Sequence, residues 1–139
     1  MIDPTAGIIV AVITLLGVIF GVGYLQKRRP RLLDAKYFQE KWHDAQGLCK
    51  TKESWPLAVI NADKLLDEAL RRRHFKGKTM GERLVSAQHE LTDNDAVWFA
   101  HKLRNRLVHE TDVKLKQADV KKALVGIRQA LKDMGAGIR

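Results

Sequence analysis

The sequence predicts an all-α protein in which one apolar N-terminal helix precedes a small helical bundle. From Ala6 to Leu25 the chain carries no charged residue over about 20 positions, the length that an α-helix needs to cross a bilayer. From Leu32 onward apolar residues recur at helical spacing, without the strict alternation of a half-buried strand. We therefore divide the chain into a transmembrane anchor (residues 1–25), a basic linker (26–31) and a helical domain (32–139).

The charges around the apolar stretch predict how the anchor is oriented. The residues before it contain one charged side chain, Asp3, whereas four basic residues follow it at once: Lys27, Arg28, Arg29 and Arg31. Basic flanks stay on the cytoplasmic side, so we expect a single-pass protein of the inner membrane with its N-terminus outside and its domain in the cytoplasm. A cleaved signal peptide is the alternative, but such a peptide carries its basic residues before the apolar stretch.

Net charge and cysteine content restrict the setting of the domain. The formal net charge is +9, and every Lys and Arg follows the anchor. A basic domain of this kind is attracted to anionic lipid headgroups and to nucleic acid, and charge alone does not separate these partners. The single cysteine, Cys49, allows no internal disulfide and is predicted to be a small core residue in a reducing compartment.

Three helices are predicted in the first half of the domain. The first extends over about 32–48, with its apolar stripe at Ala35, Phe38, Trp42 and Ala45 and a stop signal at Gly47. The second begins at Ser54, a preferred N-cap residue, tolerates Pro56 in its first turn and ends near Arg73. Its buried face is predicted to be Val59, Ala62, Leu66 and Ala69. After a loop at Lys76–Lys78, a short third helix over about 80–90 offers Leu84, Val85 and Ala87 to the core.

Two long helices complete the predicted bundle of four long helices and one short one. The fourth is opened by the capping residue types Thr92, Asp93 and Asn94 and extends to about His109. The fifth, over about 118–134, carries apolar residues spaced by four, three, four and three, and Gly135 stops it: Val120, Leu124, Ile127, Leu131 and Met134. Each helix has one apolar stripe to bury, which is typical of a bundle.

The sequence contains no Gly-rich phosphate loop and no Cys/His cluster with metal-ligand spacing, so it predicts no metal and no cofactor.

The fourth predicted helix has two faces that need packing. At 100° per residue, one stripe is an ordinary core face: Ala96, Phe99, Ala100, Leu103 and Leu107. The opposite side holds Trp98, His101, Asn105 and His109, with Val108 at its edge. A Trp and a Val on an outer face favour contact with a second chain, so we expect Trp98, His101, Asn105 and Val108 to form a homodimer interface.

The same helix carries the segment K-L-R-N-R-L-V-H-E, which contains Arg104, Asn105 and His109. A fixed cation and a group that titrates near neutral pH are the two kinds of group needed to cleave a phosphodiester without a metal. An arginine followed by a polar residue and then, a few positions on, by a histidine on the penultimate helix of a small all-α domain resembles the signature of the HEPN superfamily.

The resemblance implies a HEPN-like bundle and a metal-independent endoribonuclease that acts as a homodimer, with a role in defence or stress response. It implies that His109 is the general acid/base, that Arg104 stabilises charge on the phosphate, and that Asn105 orients groups or binds a phosphate oxygen. The expected products are a 2′,3′-cyclic phosphate and a 5′-hydroxyl end. Thr111 stands where some toxin members carry a tyrosine that a partner enzyme modifies, so no neutralising or regulatory protein is identified.

The alternative function is that of a non-catalytic, membrane-tethered module that binds RNA, protein or anionic lipid. A basic run offers contacts to RNA phosphates or to anionic lipid: Arg71, Arg72, Arg73, Lys76 and Lys78. The same run also suits a solvated helix end that complements the helix dipole. Three carboxylates of the second predicted helix could add an accessory acid to the site: Asp63, Asp67 and Glu68.

Overall fold

The computed structural model describes residues 3–28 and 33–139. All regular secondary structure in these two ranges is helical, in six α-helices and two short 3-10 helices. The chain divides after Arg31 into two compact units, and the hydrophobic core lies in the second. The predicted all-helical class is therefore confirmed for the described residues.

The first unit is one long helix, α1, over Pro4–Arg28. Within it Pro4–Leu25 is long and apolar enough to cross a membrane, and its side chains are exposed throughout. The hydroxyl of Thr14 donates to the carbonyl oxygens of Val10 and Ala11 at 3.0 and 2.9 Å, so this polar group is satisfied within the helix itself. The helix continues past the predicted end of the anchor to Arg28, and the rest of the predicted linker, residues 29–31, lies outside the described residues.

Five α-helices form the second unit, the domain. They are α2 (Ala35–Gly47), α3 (Trp55–Arg72), α4 (Met80–Ala87), α5 (Asn94–His109) and α6 (Gln117–Asp133). Two 3-10 helices that the sequence pattern did not predict, Leu48–Lys50 and Lys52–Ser54, join α2 to α3. The predicted division into four long helices and one short one agrees with this domain.

Helix starts follow the capping chemistry of the sequence. The side chains of Asp34 and Asp93 each accept a hydrogen bond from the main-chain N–H three residues on, which fixes the starts of α2 and α5. At α4, Thr79 and Glu82 form a reciprocal capping box. Ser54 precedes α3 as predicted, but its hydroxyl bonds the carbonyl oxygen of Leu48 instead of capping the helix.

The ends of α3 and α6 share one geometry in spite of different residues. After α6, Gly135 takes a φ of +77°, and the N–H of the next residue bonds back to Leu131 at 3.0 Å. After α3, His74 takes a φ of +60°, and the N–H of Phe75 bonds back to Leu70 at 3.1 Å. Both are left-handed helix stops of the Schellman type, and at α3 a histidine occupies the position that glycine usually fills.

Helix α3 is the central element of the domain, because it packs against α2, α4, α5 and α6. Its buried side chains run along one broad face: Ala58, Val59, Ala62, Asp63, Leu65, Leu66, Ala69 and Leu70. Two predicted core residues are exposed instead, Ala35 in the first turn of α2 and Val85 on α4. Helix α4 is only two turns long and buries Met80, Leu84 and Ala87, which leaves Val85 on the outer side.

Two contacts fix α4 and α6 in place around this centre. Arg83 of α4 forms a two-pronged ion pair with Asp67 of α3, at 2.7 and 3.0 Å, and donates a third hydrogen bond to the carbonyl oxygen of Gly77 at 2.8 Å. On the other side α6 approaches α5 so closely that a Cβ at Gly126 would lie 2.8 Å from the carbonyl oxygen of Ala96. Helix α5 is thereby held between α3 and α6.

Candidate functional site

Arg104 and Asn105 lie together on the last turns of α5. The Nη1 atom of Arg104 donates to Oδ1 of Asn105 at 2.9 Å. Asn105 is partly buried, and the side chain of Arg104 is 34% exposed. The motif therefore supplies a cation that is held on one side and reachable from solvent on the other.

His109 is the last helical residue of α5 and is exposed. Glu110, the next residue, turns to extended backbone, and its N–H bonds the carbonyl oxygen of Arg106 at 2.8 Å. Within the described residues, no hydrogen bond or ion pair engages the His109 ring. His109 lies one helical turn beyond Asn105 on the same face. A ligand bound at Asn105 can therefore reach the His109 imidazole, which no described side chain binds.

Two further side chains extend the motif into the core. The ring of His101 places Nε2 at 3.4 Å from Nδ2 of Asn105. Its other nitrogen, Nδ1, lies 3.2 Å from both carboxylate oxygens of Asp63 on α3. We call Asp63, His101, Asn105 and Arg104 the α5 polar cluster. It begins at the carboxylate of Asp63, which is 2% exposed, and ends at the guanidinium of Arg104, whose side chain is 34% exposed.

The guanidinium of Arg104 is incompletely bonded. Its Nε lies 3.7 Å from Oδ2 of Asp63, close enough for electrostatic attraction but not for a hydrogen bond. That Nε is buried and has no hydrogen-bond partner among the described residues. A guanidinium has five N–H donors, so Arg104 keeps donors for an anionic ligand after its bond to Asn105.

The position of His101 differs from the expectation that it lies on an outer, partner-facing surface. His101 is only 8% exposed and packs inside its own chain, against Asp63 on one side and edge-on to the ring of Trp98 at 6.0 Å on the other. Trp98 is itself partly buried and reaches towards Gly81 of α4. The second packed face of α5 is thus covered by α3 and α4 of the same chain. The expectation differed because a helical wheel does not distinguish a neighbouring helix from a neighbouring chain.

Three of the four residues expected at a dimer interface keep exposed surface, and two of these, Asn105 and Val108, lie at the motif. Val108 is 48% exposed and Asn105 is partly buried. These two residues and His109 form the outer rim of α5. The structure contains one chain, so the interface itself stays a prediction.

The three arginines of the basic run are engaged by carboxylates of their own domain. The pairs are Arg71 with Asp67 at 3.3 Å, Arg72 with Glu68 at 2.6 Å and Arg73 with Glu90 at 2.6 Å. Arg73 is the most enclosed, with a side chain 10% exposed and a second hydrogen bond to the carbonyl oxygen of Met134. These contacts enclose Arg73 at the end of α3, whereas Arg71 and Arg72 stay exposed, and binding of RNA or anionic lipid by the run stays a prediction. Lys76 and Lys78 are exposed and, within the described residues, form no ion pair.

The burial of Asp63 could have been inferred from the apolar residues around it in sequence. Asp63 follows Val59 by four positions and precedes Leu66 by three, so it falls on the apolar stripe of its helix, where a carboxylate needs a buried partner. His101 carried a weaker signal, because Val97 and Trp98 precede it at helical spacing but Arg104 and Asn105 follow it at the same spacing. Asp67 and Glu68, the other two candidate accessory acids, bind the arginines described above instead of approaching the motif.

Two groups outside the site have shifted pKa values. The hydroxyl of Tyr37 donates to Glu68 at 3.0 Å, and this bond to a carboxylate raises the pKa of Tyr37. Burial raises the pKa of the Cys49 thiol, which makes it a poor nucleophile. Within residues 3–28 and 33–139 no group of three His, Cys, Asp or Glu side chains could hold a metal ion.

No protein-family model, curated protein or solved structure matches this chain.

Proposed function

We propose that the chain is a membrane-anchored, metal-independent endoribonuclease of the HEPN type that acts as a homodimer. The observation that carries the proposal is the α5 polar cluster, which bonds a partly exposed Arg104 through Asn105 and leaves the exposed His109 ring one turn beyond Asn105. The proposal takes the assignment of roles from the resemblance of Arg104–Glu110 to the family signature.

In this proposal cleavage is an attack of the ribose 2′-oxygen on the adjacent phosphorus. The attacking hydroxyl loses its proton, the new P–O bond closes the 2′,3′-cyclic phosphate, and the bond to the 5′-oxygen breaks. His109 transfers the proton, since an imidazole can both accept and donate a proton in general acid/base catalysis. Arg104 binds the phosphate oxygens on which charge accumulates, and Asn105 orients the guanidinium and binds a further oxygen. The leaving 5′-oxygen takes a proton and departs as a hydroxyl.

The dimer follows from the spacing of the two charged groups. On an ideal helix Arg104 and His109 lie about 140° apart, so the Arg104 side chain either swings across to the His109 of its own chain or acts with the His109 of a facing helix, and the second arrangement favours a dimer. Two copies of α5 that face each other bring Arg104 of one chain to His109 of the other. The exposed Val108 beside the motif provides an apolar contact for such a pairing.

The membrane part of the proposal rests on Pro4–Leu25 and on the basic residues that follow it. We propose that α1 crosses the inner membrane with its N-terminus outside, which holds the domain at the cytoplasmic surface. Lys76 and Lys78, which form no ion pair within the described residues, are the cations of the basic run most available to RNA or anionic lipid.

The deciding experiment uses the full chain in nanodiscs, single-stranded RNA and excess EDTA. We expect cleavage to 2′,3′-cyclic phosphate ends, its loss in His109→Ala, and its retention in His43→Ala, which removes an exposed histidine from α2. Cleavage that survives in His109→Ala, or that requires Mg²⁺, would refute the mechanism. RNA binding without cleavage would instead support the non-catalytic module.

Mixing two inactive variants tests the composite site. If each site takes Arg104 from one chain and His109 from the other, co-assembled Arg104→Ala and His109→Ala chains recover one intact site per heterodimer. Random pairing then gives about a quarter of the wild-type rate. A mixture that stays inactive, while each variant dimerises normally, would place both groups of a site in one chain.

A further inference from the structure

The α5 polar cluster has a defined direction of hydrogen bonding. The carboxylate of Asp63, 2% exposed, is an acceptor when ionised, so the Nδ1 of His101 at 3.2 Å must be the donor. A neutral ring protonated on Nδ1 has a lone pair on Nε2. That lone pair can accept from the amide Nδ2 of Asn105 at 3.4 Å.

The same donor and acceptor pairing determines the orientation of the Asn105 amide. Because its Nδ2 points at His101, its Oδ1 points the other way and accepts from Nη1 of Arg104 at 2.9 Å. If the ring carried its proton on Nε2, two donors would face each other and the amide would have to turn over. The amide would then present N–H groups to the guanidinium, which has no acceptor. Each bond in the cluster therefore depends on the carboxylate at its buried end.

We propose that Asp63 and His101 are positioning residues, which fix the amide of Asn105 and through it the guanidinium of Arg104. The part that concerns cleavage rests on the proposed function, whereas the part that concerns the ring and the amide does not. His101 is not a second general base in this arrangement. Its side chain is 11% exposed, and Asn105 stands between its Nε2 and solvent.

The first test reads the ring directly. The full chain is labelled with ¹⁵N-histidine and placed in nanodiscs, and the protonation of each ring nitrogen is read by NMR, with His101→Gln identifying which of the five histidines is His101. We expect the His101 ring to be protonated on Nδ1 and unprotonated on Nε2. In Asp63→Leu, which removes the acceptor but keeps the branched shape of the side chain, this preference should be lost. A wild-type ring protonated on Nε2, or one unaffected by Asp63→Leu, would overturn the proposal.

The second test measures cleavage in the same variants. Asp63→Leu should lower kcat by about 100-fold with little change in KM, because a small displacement of a group that acts in the transition state costs that much. His101→Gln should stay within about 10-fold of wild type, since its amide can also donate to Asp63 and accept from Asn105. The control is Asp44→Leu, which removes an exposed carboxylate of α2.

The outcomes separate the two proposals. A wild-type chain that does not cut RNA defeats the proposed function, and the NMR result still decides whether Asp63 and His101 position Asn105. A wild-type chain that cuts RNA, together with an Asp63→Leu variant of unchanged kcat and unchanged melting temperature, defeats the positioning role alone. A lower melting temperature in Asp63→Leu, together with a kcat no lower than that of Asp44→Leu, would also count against the positioning role.

Discussion

Gly126 lies where the backbone of α6 crosses that of α5, and the cost of adding one methyl group there follows from the distances. A Cβ at this position would lie 2.8 Å from the carbonyl oxygen of Ala96 and 2.9 Å from the carbonyl carbon and the Cβ of the same residue. Two of these three atoms belong to the backbone of α5, so no side chain can rotate away. Gly126→Ala must therefore push the two helices apart.

The expected size of the effect is a balance of two terms. Overpacking of a close contact costs about 1–3 kcal/mol, and the upper end applies where backbone has to move. Alanine in place of glycine inside a helix returns about 1 kcal/mol. We expect Gly126→Ala to lower the free energy of unfolding by about 2 kcal/mol, which is about 8 °C in the melting temperature of a domain of this size.

Gly47→Ala is the matched control, because a Cβ at Gly47, the last residue of α2, meets nothing within 4 Å. The same substitution there should raise the melting temperature slightly, by the equivalent of about 0.5 kcal/mol. Both variants can be measured on the full chain in detergent by tryptophan fluorescence, since all three tryptophans lie in the domain. A Gly126→Ala variant that melts at or above the wild-type temperature would refute the argument from backbone contact.

Three further predictions concern Arg83, His74 and Cys49. Arg83→Met leaves the partly buried Asp67 with Arg71 as its remaining partner and should cost about 1–2 kcal/mol in denaturant unfolding; a loss below about 0.5 kcal/mol would show that the pair contributes little. His74→Gly removes a left-handed non-glycine residue and should raise the free energy of unfolding by about 0.5 kcal/mol, which is measured as a higher denaturant midpoint at unchanged slope. Burial raises the pKa of the Cys49 thiol, so at pH 8 less of it is thiolate and alkylation should be several-fold slower than for free cysteine; equal rates would contradict this.

Helical periodicity and capping residues were enough to predict the domain helices to within a few residues at either end. The predicted start of the fourth helix at Thr92–Asn94 agrees with an N-cap at Asp93, because short polar side chains act locally on the first turn. The predicted stop at Gly135 agrees with its left-handed backbone. The stop after α3 was not predicted in detail, since a histidine at φ +60° has no signal in a single sequence.

The site was predictable only where its residues are neighbours in sequence. Arg104 and Asn105 are adjacent, and the structure joins them by a hydrogen bond. The partnership of His101 with Asp63 joins residues 38 positions apart and depends on how α3 packs against α5, which periodicity does not encode. For the same reason the wheel assigned His101 to an outer face: it describes the direction of a side chain and not what stands in that direction.

The wedged position of α5 has a consequence for how an activity based on it would be switched. Where Gly126 meets Ala96 there is no room for sliding or rotation, and on the other side the ring of His101 is tied to α3. Because α5 is fixed on two sides, a shift of this helix inside the domain is a poor means of controlling activity. In the proposed function two copies of α5 have to meet at a membrane surface, so the rate of cleavage would depend on how densely the chains occupy that surface.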